Sequence, residues 1–346
     1  RSANRMRDVL RLVNENYVEE VPAAFPALTK AALRGMVESL DPHSDFLEMR
    51  DYRSLQEDMS NEFGGIGVQV ERRDKHVVVI APIAGTPGER AGILRGDEIV
   101  SVDGEVFAEG AMDDVVGRLR GKPKTDVTVG FHRPGTGANF SLTLTREVIK
   151  LESVADVRVL EDGVGYVRLS QFSERTGEEF IRALDRLGAA GMTSLILDLR
   201  NNPGGLLDAA VTVVEPFFNP NELIVYTQGR NPADREEFRA GRNTKPLRLP
   251  MVVLVNAGSA SAAEIVAGAL RDTERAVIVG ERSFGKGSVQ SIFRLRDGEA
   301  LRLTTARYYT PSGVTIHEKG VPPHVEVVMT PEEDGKVRIQ RARDDL

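Results

Sequence analysis

PMVVLVNAGSASAAEIVAGALRD, residues 250–272, passes from a continuous apolar segment through a turn of small residues into a helix. An apolar run rich in β-branched residues, bounded by turn residues, predicts a strand buried in a sheet. The same scheme stands upstream. TSLILDLR, 193–200, is an apolar strand of the kind buried on both faces, and NNPGG, 201–205, is a glycine turn that feeds a second helix. VGYVRLSQF, 164–172, and GEEFIRALDRLGAAG, 177–191, add another strand and helix. Strands alternating with helices predict a sheet of parallel type with crossovers. Sites in such sheets form at the carboxyl ends of the strands, and both NNPGG and NAGSAS fall on that edge.

Composition narrows the function. The 346 residues are 41% hydrophobic and 28% charged, which is ordinary for a soluble protein long enough for two or three domains. A formal net charge of −7 argues against a nucleic-acid partner. No apolar run approaches the roughly 20 residues that cross a bilayer, and no apolar leader precedes Arg1 as the sequence stands. Absence of cysteine removes thiol and disulfide chemistry. The five histidines, His43, His76, His132, His317 and His324, have no metal-ligand spacing, so neither a metal nor another cofactor is expected.

Residues 1–57 read as a helical segment with an apolar stripe at Met6, Val9, Leu10 and Val13, either a packing element or a dimerisation face, interrupted by the Asp-Pro turn of LDPHSDFL, 40–47. From residue 58 to 146 short alternating strands separated by glycines replace the helices. A short helix is expected after Pro87 and another over 112–120, stopped by Gly121. This segment resembles a PDZ domain: GGIGV, 64–68, stands where that family has its carboxylate-binding loop, and AGILRGDEIVSVDG, 91–104, follows its AG…GDxIxxVDG pattern. Gly64, Gly65 and Gly67 would let backbone N–H groups around Ile66 and Val68 converge on an anion, and the strand behind them would offer an open edge to a peptide. A ligand-free glycine bulge is the alternative reading.

VGERSFGKGSVQ, 279–290, has the Gly-x4-Gly-Lys spacing of a phosphate-binding loop. That motif requires Ser or Thr after the lysine and then a helix. Here Gly287 follows Lys286, and extended residues follow Gly287. A lysine acts as a general base only when burial or a neighbouring positive charge lowers its pKa. Phe284 would exclude water and Gly287 would let the chain bend. Ser261, where the apolar strand gives way to helix, is a candidate nucleophile, since helix N–H groups there favour an oxyanion. Ser261-Ala-Ala-Glu264 is equally a capping box, and Ser259 competes for the nucleophile role.

The chain as a whole resembles the carboxy-terminal processing peptidases, the PDZ-containing serine peptidases of family S41. The match runs from NYVEEV and LDPHSDFL to DLRNNPGG, NAGSASAAEI, GERSFGKGSVQ and TPSGVTIHEKGVPP. It departs at Val314 and His324, where the family commonly has arginine and aspartate. The resemblance implies a multidomain α+β and α/β architecture: the helical segment, the PDZ domain, and a ClpP/crotonase-like core over 147–346. It implies Ser261 as nucleophile, Lys286 as base and Gln290 as support for that lysine. It further implies an oxyanion hole from Ala262 N–H and a donor at Gly204 or Gly205, with Asp198 and Arg200 holding that turn. Arg120 is the expected coupler between groove and core. The implied partners are protein substrates with accessible C-terminal tails, an adaptor protein and a second copy of the chain, in a bacterial periplasm or cell envelope. The alternatives are an inactive PDZ scaffold and an acyl-CoA hydrolase on a related core.

Overall fold

A computed structural model describes residues 1–73, 75–107, 112–330, 332–333 and 335–337. Its centre is a six-stranded sheet in chain order, Val154–Val159, Val164–Leu169, Ser194–Asp198, Met251–Val255, Val277–Gly280 and Val325–Glu326. The first pair is antiparallel and the other four pairings are parallel, as the strand-helix alternation predicts. Helices Thr176–Ala189, Leu207–Val214 and Ala262–Asp272 fill the crossovers. Alternate strand residues, among them Val167, Leu169, Leu195, Leu197, Val253 and Val255, form one buried cluster with Phe180, Val213, Val266 and Leu270 of those helices. Period-two alternation is why only one strand face enters that cluster. The expectation that TSLILDLR is buried on both faces is therefore corrected: Ile196, like Val252 and Leu254 beside it, is only half-buried.

A second, antiparallel sheet is organised around the long strand Ala300–Tyr309, which pairs with Asp45–Leu47, Ser288–Arg294 and Leu223–Gly229. The turn between Ser288–Arg294 and Ala300–Tyr309 places Asp297 at φ 60°, the left-handed conformation for which Asp-Gly is suited. The LDPHSDFL segment does more than interrupt the helices. Asp45–Leu47 adds to the edge of this sheet, with Asp45 opposite Arg302, and buries Phe46 and Leu47. Residues far apart in sequence thereby meet in one sheet with the strand that follows Lys286.

The sheet of the smaller module has six antiparallel strands among the described residues: Val68–Arg73, His76–Pro82, Glu98–Val102, Asp126–Arg133 and Ala138–Thr145 in that order, with the short Glu105–Val106 paired to Glu98–Val102. Val68–Arg73 is an edge strand, and helix Met112–Leu119 contributes Val115 and Leu119 to the module's core. The chain enters and leaves the module through paired strands Glu62–Gly65 and Glu147–Lys150. Phe46 is 1% exposed. Phe46→Ala is expected to destabilise by about 3–5 kcal/mol, read as a lower urea midpoint with unchanged slope.

Candidate active site

The strand Met251–Val255 ends in a tight turn before helix Ala262–Asp272. Ser259 is fully buried in that turn. Its Oγ donates to the carbonyl of Leu199 at 2.8 Å and accepts the Asn256 N–H at 3.0 Å. It ties two strand ends together, so it is not the nucleophile candidate. Ser261 sits at the helix N-cap with φ 53° and ψ −116°. A non-glycine residue in such a region costs on the order of 1–3 kcal/mol and persists only when its surroundings enforce it. Strained serines at strand-to-helix turns are the geometry of nucleophile elbows.

Ala262 N–H, the first of the helix, makes no hydrogen bond among the described residues. Packed against it is Gly204. A Cβ there would lie 2.7 Å from Ser261 Cβ and 2.9 Å from Ala262 N, and its φ is +97°, so only glycine lets the NNPGG turn approach this closely. Gly204 N–H is held by Asn202 Oδ1 at 2.8 Å, while Gly205 bridges to Phe172. Gly204 is thus the glycine beside the Ser261 turn, but its own N–H is directed at Asn202. Asp198 and Arg200 pair at 2.6 Å beneath the turn, and Tyr166 donates to Asp198 at 2.7 Å.

Glu264 joins the serine to the lysine. Ser261 to Glu264 adopt the capping-box arrangement, with Glu264 N–H held by the Ser261 carbonyl at 2.9 Å. The fully buried Glu264 carboxylate accepts four hydrogen bonds: Ser261 N–H at 2.8 Å, Ser283 O–H at 2.6 Å, Gly285 N–H at 2.6 Å and Lys286 N–H at 2.8 Å. One side chain therefore holds the backbone of both candidate catalytic residues. The S-x-x-E spacing was the sequence signal for this residue, but it announced only a helix cap.

Lys286 is half-buried. Burial lowers its pKa below the ordinary lysine value, the positive charge of Arg302 lowers it further, and the Glu264 carboxylate opposes both. Phe284 was expected to supply the burial, but it is 65% exposed. The packing comes from elsewhere: the His317 backbone lies against Gly287, and the LDPHSDFL turn brings up His43. Burial and then the Lys286 charge hold the His43 imidazole below its usual value.

Gln290 is placed on the same sheet as the lysine loop, but its Nε2 donates to Ser288 Oγ at 2.9 Å and to Thr304 Oγ1 at 3.2 Å. The pairing of Ser288–Arg294 with Ala300–Tyr309 shifts between Val289 and Gln290, with Thr305 the extra residue on the long strand. That long strand lines the site from below. Arg302 and Thr304 stand on its face with Ile292 and Gln290, and the register shift after Thr304 turns Tyr308 to the other face. Thr304 touches Gln290, and the Tyr308 N–H donates to the Gly287 carbonyl at 2.9 Å. Sequence reading singled out none of these three, because each looks like an ordinary member of a half-buried strand.

In the smaller module, Gly65, Ile66, Gly67 and Val68 line a pocket with Phe63, Val70, Val116, Leu119 and Arg120. Gly64 lies apart from it: a Cβ there would meet the Gly121 carbonyl, and Gly121 N–H donates to the Gly64 carbonyl at 2.9 Å. Its place is to bring the glycine loop against the end of the groove helix. Arg120 stacks over the Phe63 ring at 4.5 Å and lies 3.9 Å from Glu57. It therefore bridges the pocket and helix Met49–Ser60 outside the module.

Residues 163–327 match peptidase family S41, and residues 78–133 match the PDZ domain. The carboxy-terminal-processing protease of Bartonella bacilliformis is 40% identical, over 93% of this chain and 74% of its own length. The carboxyl-terminal-processing protease of a Synechocystis species is likewise 40% identical, over 92% and 75%. Among solved structures, the photosystem II D1 C-terminal processing protease superposes with a TM-score of 0.54 at 32% identity, covering 93% of this chain and 92% of that one.

Removing the Glu264 carboxylate leaves several buried donors unpaired, at about 1–3 kcal/mol each. Glu264→Ala is expected to lose about 3 kcal/mol or more of unfolding free energy and peptidase activity together. Glu264→Gln, which keeps the shape, should retain more of the stability. Chemical denaturation and a casein-cleavage assay on both variants check this, and wild-type values for Glu264→Ala would contradict it.

Proposed function

The chain belongs to peptidase family S41 and carries a PDZ domain, and from that premise we propose that it cleaves protein substrates by a Ser261/Lys286 mechanism after capturing their C-terminal tails. It is a serine-type endopeptidase of the carboxy-terminal processing group; the assignment of roles to residues is our reading. The observation that carries it is the buried Glu264 carboxylate, which fixes a strained serine and a half-buried lysine in one clasp.

Neutral Lys286 Nζ takes the proton of Ser261 Oγ as the oxygen attacks the scissile carbonyl. The tetrahedral oxyanion faces Ala262 N–H, whose lack of a partner and place at a helix N-terminus support this role. The N–H of Gly205 is the second donor we assign, because that of Gly204 is held by Asn202. Collapse breaks the carbon–nitrogen bond, with Lys286 returning the proton to the leaving amine. Water then hydrolyses the acyl-enzyme by the same route. Gln290 anchors the strand after the lysine loop through Thr304.

The tail enters along the open edge Val68–Arg73, its side chains meeting the pocket of Ile66, Val70, Val116 and Leu119. Arg120, stacked at the rim of that pocket and facing Glu57, is the group through which an occupied groove is felt in the rest of the chain. In Arg120→Ala, stimulation of casein cleavage by a tail peptide should disappear; full stimulation would remove Arg120 from this role.

Activity requires the deprotonated lysine. It is therefore absent well below the Lys286 pKa and rises with pH through a value lower than that of a free lysine. A kcat/KM profile flat from about pH 5 to 10 would contradict Lys286 as base. Ser261→Ala should abolish both casein cleavage and labelling by a fluorophosphonate, and unchanged cleavage would favour another nucleophile.

A further inference from the structure

Two edges of the antiparallel sheet differ in character. Arg235–Arg239 closes it on one side, and among the described residues Ser288–Arg294 pairs only with Ala300–Tyr309, so its far edge carries no strand. A free strand edge is a template for another chain, and proteins commonly guard it with charge or proline. Arg235–Arg239 is guarded in that way: its sequence is REEFR, and Arg235 and Arg239 both pair with Glu237, at 2.7 and 2.6 Å. SVQSIF, 288–293, has neither charge nor proline, and Phe293 is exposed. The unguarded edge is the one that starts two residues after Lys286.

Hydrogen-bond direction alternates along an antiparallel strand. Tyr308 N–H donates to the Gly287 carbonyl at 2.9 Å and Leu295 N–H to the Glu299 carbonyl at 2.8 Å, so the odd-numbered residues of this strand turn their main-chain groups toward Ala300–Tyr309. Thr304, opposite Gln290, sends its N–H the other way, to Ser44 Oγ at 3.1 Å. Thr305, the extra residue of the register shift, lies on the long strand and leaves this alternation intact. The N–H and C=O groups of Gln290, Ile292 and Arg294 therefore point out of the sheet, and none has a partner among the described residues.

We propose that this edge receives the extended substrate segment beside the scissile bond as an added strand, held by the outward groups of Gln290, Ile292 and Arg294. This rests on the Ser261/Lys286 reading. The N–H groups of Ser261 and Lys286 meet on the Glu264 carboxylate, so a chain laid along the edge runs to the dyad. At about 3.3 Å per residue, Gln290 and Ile292 stand about 13 and 20 Å along the strand from Lys286, the reach of roughly four to six substrate residues. Pairing of this kind uses main-chain groups and is indifferent to most side chains, which leaves selection to the separate edge Val68–Arg73. The ligand is thus an unfolded polypeptide gripped at two strand edges. A second copy of the chain is the other occupant that a bare edge admits, and the place of this edge beside the base favours substrate.

The test has two arms. In the first, a fluorogenic casein-derived peptide that the full chain cleaves is N-methylated at one residue at a time, over about six residues on each side of the scissile bond. Methylation at alternate positions on one side is expected to lower kcat/KM by about fivefold to tenfold, with little effect at the positions between. The second arm is Ile292→Pro. An edge strand accommodates proline where the missing N–H faces outward, so this variant removes one rung and keeps the pairing with Ala300–Tyr309. Its kcat/KM for the unmethylated peptide should fall by a similar factor, while sedimentation and the rate of fluorophosphonate labelling at Ser261, which needs no added strand, stay at wild-type values. Ile292→Val, which keeps the N–H, should match wild type throughout. If Ile292→Pro melts early, Arg294→Pro at the next outward N–H takes its place. A scan without alternation would overturn the proposal. Unchanged kcat/KM in a folded proline variant would overturn it too, since another strand then holds the peptide, and a shift in sedimentation alone would give the edge to a second copy. If wild type is not labelled at Ser261, the Ser/Lys reading falls, while the scan still reads the edge.

Discussion

A carboxylate buried at the start of one helix organises this site. Glu264 has no water to solvate it, and a charge so placed is tolerated only when donors surround it. Four donors do, from two segments separated by about twenty residues of helix and strand. The requirement works in both directions. Satisfying Glu264 forces the Ser261 backbone and the 283–286 loop to converge, and that convergence enforces the unfavourable backbone angles of Ser261. Strain at the serine and burial at the lysine are then two results of one electrostatic demand.

Around that clasp the two sheets have different tasks. The parallel sheet presents helix and glycine turns at its carboxyl edge, which supplies the proposed nucleophile Ser261 and an Ala262 N–H with no partner among the described residues. The antiparallel sheet surrounds the lysine: Ala300–Tyr309 runs beneath it, and Asp45–Leu47, drawn from the other end of the chain, closes the edge. Ser44 Oγ accepts Thr304 N–H at 3.1 Å, and Asp41 caps its own turn through the N–H groups of His43 and Ser44 at 2.8 Å each. A segment that looks like a mere break between helices is therefore part of the wall that desolvates Lys286.

How much of this was legible follows from the range of each signal. Apolar runs, alternation and glycine turns act over a few residues, and they gave the parallel sheet, its helices and the PDZ-like strands. The glycine-framed lysine and the GSAS serine stood out because their motifs are contiguous. What escaped is long-range. Nothing local tells Ser259 from Ser261; only the Leu199 carbonyl, reached across the sheet, does so. Phe284 looked like a shield and points outward, since the burial of Lys286 comes from segments distant in sequence. At Gly287 the close approach of the His317 backbone is a contact across the fold that no local signal announces. Tyr308 and Arg302 become visible only when strand pairing puts them under the site.

The central claim is that this lysine is held where it loses its proton at working pH beside Ser261. The most direct measurement is a 13Cε-lysine NMR titration of the full chain in the Ser261→Ala background, with Lys286 assigned by its loss in Lys286→Met. The account predicts one lysine resonance titrating well below the others, which cluster near the ordinary value of about 10.4. A Lys286 resonance that titrates with the rest would contradict it.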